Sequence, residues 1–160
     1  MAPFVAYAPC TENESGHELI NVTLQTTSGT IPAVFELNDN CGDAVALTLT
    51  FSGQSQTAKA SSYFEALSQV RLLLEKDEQY PICWGSCESV YPSPMQLDMG
   101  NGRLAYKMAL GCQAKTKDIV DIFNVDDICV PVTVAKQAQF HENWVQSIGK
   151  KNTGPSGEVL

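Results

Sequence analysis

A chain of 160 residues with 44% apolar and 18% charged side chains is long enough for one globular domain and too apolar for a disordered one. Its net charge of −8 is unevenly spread: residues 1–58 hold six carboxylates and no Lys or Arg, and the rest of the chain holds ten basic and twelve acidic side chains. A one-signed acidic surface repels phosphates, which excludes nucleic acid and anionic membranes as its expected partners and favours a cationic protein.

The first ten residues carry no basic side chain and are interrupted by Pro3 and Pro9, so they do not read as a signal peptide. No run approaches the ~20 apolar residues of a transmembrane helix. The expectation is a soluble, cytoplasmic protein with an N-terminal arm over 1–17, a single domain over 18–149 and a flexible tail over 150–160. In a reducing cytosol the six cysteines (Cys10, Cys41, Cys83, Cys87, Cys112 and Cys129) are expected to be mostly buried thiols.

In chain order, Leu19 to Thr26 alternates with Ile20, Val22 and Leu24 on one face, and Ile31 to Leu37 forms a second strand-like run across the Ser28-Gly29 turn. Asn38 to Asp43 is a turn. The cleanest strand follows, with Val45, Leu47, Leu49 and Phe51 on one face. These three segments predict an antiparallel meander with one wet face. A helix is predicted over 62–77. Ser62 and Glu65 form its capping box, and Phe64, Leu67, Val70 and Leu74, widened by Tyr63 and Leu73, form its apolar stripe. Arg71 and Glu75 are expected to pair on its outer face.

Tyr80 to Cys83 reads as a strand and Tyr91 to Pro94 as a loop. Asn101-Gly102 is a turn from which Arg103 to Leu110 leaves as a strand. Thr116 to Phe123 predicts a short helix, and Thr133 caps a last helix to about Ile148 with Phe140, Trp144 and Ile148 on one face. The order predicts an α+β fold, a mainly antiparallel sheet with helices packed on one face.

The chemistry that these residues rule out is as informative as what they allow. His141-Glu142 opens like a zinc-protease helix, but Val145 stands where the second His is needed, so His141 is expected on the exposed helix face. His17 falls in the arm, a poor place for a positioned base. Cys83 and Cys87 lack a second close pair to complete a zinc site, and buried or turn thiols are the reading there, ahead of a metal or redox pair. Asn38 to Asp43 has a calcium-loop composition without the required spacings. No catalytic residue, metal or cofactor is therefore expected. Asp118, Asp121, Asp126 and Asp127 form an acidic cluster, with Asp118 and Asp121 neighbours on the predicted helix. It suits a solvated edge, a divalent cation or a basic partner.

From Phe64 onward the residue order resembles a family of small, stand-alone, uncharacterised bacterial proteins. The resemblance rests on Phe64-Glu-Ala-Leu67 with Arg71, on Cys83, Gly85 and Ser86, on Tyr91-Pro-Ser-x-Met95, on Met99-Gly-x-Gly102 with Ala105-Tyr106, and on Asp118-x-Val-Asp-Ile-Phe123. It covers about the C-terminal 60% of the chain. Cys87 and Glu88 stand where that family commonly has two arginines, so an anion-binding role for them does not carry over. In size and solitary domain such proteins resemble the immunity proteins that bacteria pair with toxin domains. The resemblance implies a cytoplasmic, non-enzymatic inhibitor of a basic toxin domain, such as a nuclease, encoded nearby. Glu36, Asp39, Asp43, Asp118, Asp121, Asp126 and Asp127 are the expected contacts. The alternative is a small-ligand-binding or regulatory domain with a pocket between sheet and helices.

Overall fold

The computed structural model describes residues 17–125 and 129–152. The fold is α+β. Four strands follow one another as an antiparallel meander: β1 (His17–Thr26), β2 (Gly29–Cys41), β3 (Ala44–Phe51) and β4 (Gln54–Ala60). A fifth, β5 (Tyr80–Ile82), joins the free edge of β1, giving the order β4-β3-β2-β1-β5. Helix α1 (Tyr63–Glu75) lies between β4 and β5 in the chain and packs on β3 and β4.

The register explains the buried face. Ile20, Phe35, Leu49 and Gln56 lie opposite one another across four strands, and Leu37, Leu47 and Ala58 form the adjacent row. These rows meet Phe64, Leu67, Val70 and Leu74 of α1 in one core. The other face is wet, as alternation predicts, with Thr48 and Thr57 hydrogen-bonded across β3 and β4 at 3.0 Å.

The rest of the chain forms a smaller layer. Here β6 (Val90–Tyr91), β7 (Leu104–Lys107) and β8 (Ile119–Asp121) make a three-stranded sheet in the order β6-β7-β8. A short helix, α2 (Pro94–Asp98), and a tight turn at Gly100–Gly102 link β6 to β7. The final helix, α3 (Val134–Asn152), contacts β6 and α1 rather than lying on the five-stranded sheet. Two glycines allow the layers to close. A Cβ on Gly85 would stand 2.5 Å from Leu67 Cδ2, and one on Gly102, whose φ is +71°, would stand 2.7 Å from Ser62 Cβ.

Several expectations need correction. β4 was not anticipated, and Tyr91–Pro94 runs into α2 rather than remaining a loop. Residues 116–123 are not a helix: a single 3-10 turn (Thr116–Asp118) leads into β8, where β-branched Ile119 and Val120 pair with Tyr106 and Ala105. His17 is the first residue of β1 rather than part of an arm, and α3 continues to Asn152, past the expected start of the tail. The remaining arm residues 1–16 and tail residues 153–160 lie outside the described residues. Ser62 does cap α1 through Glu65 N, but the Glu65 carboxylate accepts from Ser61 Oγ rather than closing the box.

The largest departure concerns Arg71. It is not on the outer face of α1 but 1% exposed in the interior. Nη1 donates to Gly85 O at 3.0 Å and to Gln137 Oε1 at 2.6 Å, and Nη2 donates to Val132 O at 2.8 Å. Gln137, equally buried, shares its amide hydrogens among the carbonyls of Gly85, Cys87 and Val90 at 2.8–3.0 Å. Glu75, the expected partner of Arg71, instead accepts from Val134 N at 2.8 Å and caps the N-terminus of α3. The interior lowers the Arg71 pKa by desolvation, opposed by Cys83 and Glu75, and a guanidinium nonetheless stays charged.

Beside this network Cys87 is joined to Cys129 in a disulfide with a Cα–Cα distance of 6.1 Å, so these two are not the free thiols expected. Cys83 is the buried free thiol, its pKa pushed up by burial. A bridge spanning 42 residues restricts the unfolded chain, and reducing it is expected to lower unfolding stability by about 2–4 kcal/mol in urea titrations. Arg71→Ala leaves three buried oxygens without their cation. It is expected to cost about 3 kcal/mol or more in the same titration.

Candidate functional site

Two surfaces carry the residues of interest. The first is the end of the five-stranded sheet where β2 turns into β3, and it carries two of the early carboxylates, Asp39 and Asp43. Asp39 and Asp43 are exposed there on either side of Gly42, whose φ of +73° allows the turn. Glu36 lies further along β2 on the wet face, where His17 Nδ1 approaches its Oε2 at 2.9 Å.

Glu18 lies on the opposite face of β1, towards the smaller layer, and meets Arg103. The guanidinium donates from Nη1 and Nη2 to the two Glu18 oxygens at 2.6 and 3.0 Å, and from Nε to Asp121 Oδ2 at 3.0 Å. Arg103 also sits 5.8 Å from the centre of the Phe123 ring. One arginine from late in the chain thus pairs with two carboxylates, one from the basic-free segment and one from the predicted cluster, and offsets one of their two charges. Its own pKa is raised by the Glu18 hydrogen bond, and that bond holds the Glu18 carboxyl below its ordinary value. The neighbouring Tyr63 hydroxyl is pushed up by burial and, secondarily, by the charge of Asp39.

The structure therefore divides the predicted contacts. Asp39 and Asp43 share one exposed end, and Glu36 lies on the adjoining wet face. Asp121 is half-buried and structural, since its Oδ1 also accepts from Phe123 N at 3.0 Å. Asp118 turns back to accept from Lys115 N at 2.9 Å, so the two are not paired on a helix face. Asp126 and Asp127 lie outside the described residues. Among the described residues no group of three or more metal-ligating side chains converges.

The second surface was missed by sequence reasoning. A cleft of about 420 Å³ opens between α3 and the β6–α2 connection. Tyr91, Pro92, Tyr106, His141, Trp144 and Ile148 dominate its lining. His141, expected on an exposed face, is half-buried and stacked on Tyr91 with ring centres 3.9 Å apart and planes 12° from parallel. Trp144 continues the stack at 6.1 Å and 25°, and Phe64 braces Tyr91 edge-on at 4.9 Å. Burial holds the His141 pKa below its ordinary value.

The loop after β7 is clasped to α3 and completes the wall. Trp144 Nε1 donates to Cys112 O at 2.9 Å, and Gly111 N donates to Ser147 Oγ at 2.7 Å. The available signal was the i, i+3, i+4, i+7 spacing of His141, Trp144, Val145 and Ile148, read together with the aromatic residues of 91–106.

No family model matches the chain, and no curated protein matches it significantly. No helix among the described residues is long and apolar enough to cross a membrane.

The Glu18–Arg103 pair gives a signed pH dependence. A carboxyl with a depressed folded pKa adds stability above its unfolded value, near 4.5, and loses it as pH falls through the lower folded value. Half-exposed as Glu18 is, the contribution is at most about 1 kcal/mol. Glu18→Gln is expected to destabilise the protein at neutral pH, and the difference from the parent is expected to shrink and vanish as pH falls through the lowered folded value of Glu18, as read from urea midpoints across pH.

Proposed function

We propose that this chain is a non-catalytic binding protein that occupies a basic protein partner, in the manner of an immunity protein towards a toxin domain. The observation that carries the reading is the exposed placement of Asp39 and Asp43 together at one end of the sheet, beside the wet face that bears Glu36. Carboxylates presented by a strand turn are held in place by the ladder behind them. A basic surface approaching them gains association rate from long-range attraction and specificity from local pairing.

The charge on offer is smaller than the sequence suggests, because Arg103 already satisfies Glu18 and Asp121. The expected contact set narrows accordingly to Glu36, Asp39 and Asp43. The Cys87–Cys129 disulfide favours an oxidising compartment over the cytoplasm expected from the sequence.

The test is capture of the product of the neighbouring gene by the purified protein, at low and high salt. Binding is expected to weaken at high salt, and Asp39→Lys/Asp43→Lys is expected to weaken it at least about tenfold at low salt with the fold intact. Unchanged affinity in that double variant, or no binding and no protection on co-expression, rejects the reading.

A further inference from the structure

The cleft beneath α3 plays no part in the acidic surface and needs its own account. We propose that it is a binding site for a small, uncharged compound with a flat aromatic ring and one hydrogen-bonding group. Four features of the cleft converge on that chemistry.

Its volume of about 420 Å³ falls within the ~300–1,000 Å³ typical of small-molecule sites. Its wall is an aromatic stack, Tyr91 on His141 and His141 towards Trp144, so a further flat ring meets surfaces already arranged for stacking. No lining residue is an Asp, Glu, Lys or Arg, and burial favours the neutral form of the one histidine. A charged ligand would lose its hydration there without gaining a counter-charge. Polar atoms are nonetheless present: the hydroxyls of Tyr91 and Tyr106, the ring nitrogens of His141 and the Gln113 amide make no hydrogen bond among the described residues. One polar substituent on the ring can meet them.

The walls are also held before any ligand arrives. Trp144 is fixed by its bond to Cys112 O, the 109–113 loop by Gly111 N to Ser147 Oγ, and Tyr91 by Phe64. Little side-chain freedom remains to be lost on binding.

The experiment is an amide NMR titration of the full chain with benzamide, benzoate and benzylammonium, three ligands that share a ring and differ in charge. Benzamide is expected to give saturable shifts confined to residues 91–94, 106–114 and 141–148. The two ions are expected to bind at least about tenfold more weakly. Absence of saturable shifts with benzamide, equal binding of all three, or shifts centred elsewhere overturns the proposal.

Val145→Glu supplies an independent arm, since Val145 lines the cleft from a helix position that is 46% exposed. With sheet amides unchanged, it is expected to weaken benzamide and admit benzylammonium. Unchanged affinities for all three ligands in that variant show that the ring binds elsewhere and also overturn the proposal. If the variant does not fold, the ranking in the parent chain decides.

Discussion

The buried guanidinium of Arg71 is the constraint on which the relative placement of the layers depends. Removing a cation from water is expensive, and here oxygen dipoles rather than a carboxylate offset the cost: two backbone carbonyls and the Gln137 side chain. Those oxygens come from three places, the turn after β5, the segment leading into α3, and α3 itself. One side chain on α1 therefore fixes all three at once. Gln137 then passes its amide hydrogens to Gly85, Cys87 and Val90, so the same network continues to the start of β6. The Tyr91–His141 stack lies one residue beyond Val90 and one helical turn beyond Gln137. The cleft takes its shape from polar bonds made behind it.

Arg103 does a different job at the periphery. It joins β1 to β8 through Glu18 and Asp121, engages both carboxylates and offsets one charge of a surface that composition alone makes uniformly acidic. Being partly exposed, it is screened by solvent and salt where Arg71 is not. Two arginines thus divide the work: one holds the interior layers together, and the other adjusts the charge left at the sheet end. Asp39 and Asp43 remain exposed at the β2–β3 turn, and the proposed partner surface is centred on them and on Glu36 beside them.

Local pattern was a good guide wherever a local pattern decided the structure. β1, β2 and β3 follow their alternation, and α1 and α3 begin at the caps supplied by Ser62 and Thr133. β4 escaped notice because Gln54, Gln56, Ala58 and Ala60 supply little apolar signal on the face that pairs with β3. Residues 116–123 carried a plausible cap and helical spacing, yet β8 is decided by pairing with β7, a partner that no local window contains. Arg71 is more instructive. Its position between Leu67 and Leu74 already placed it on the apolar stripe, but residue type suggested an exposed ion pair with Glu75. The tertiary oxygens that reverse this preference come from residues 85, 132 and 137. His141 was misplaced for a related reason, since its stacking partner Tyr91 lies 50 residues earlier.

The central claim is that the Arg71–Gln137 network holds α3 in the position that forms the cleft. The most direct measurement is the proton NOE between the Tyr91 and His141 rings, 3.9 Å apart between centres, in a Gln137→Leu variant. The account predicts that the contact weakens or disappears while the amide spectrum of β1–β4 stays native. Leucine has neither the acceptor for Arg71 nor the donors for the three carbonyls. A Tyr91–His141 NOE of undiminished strength in a folded Gln137→Leu protein would contradict it.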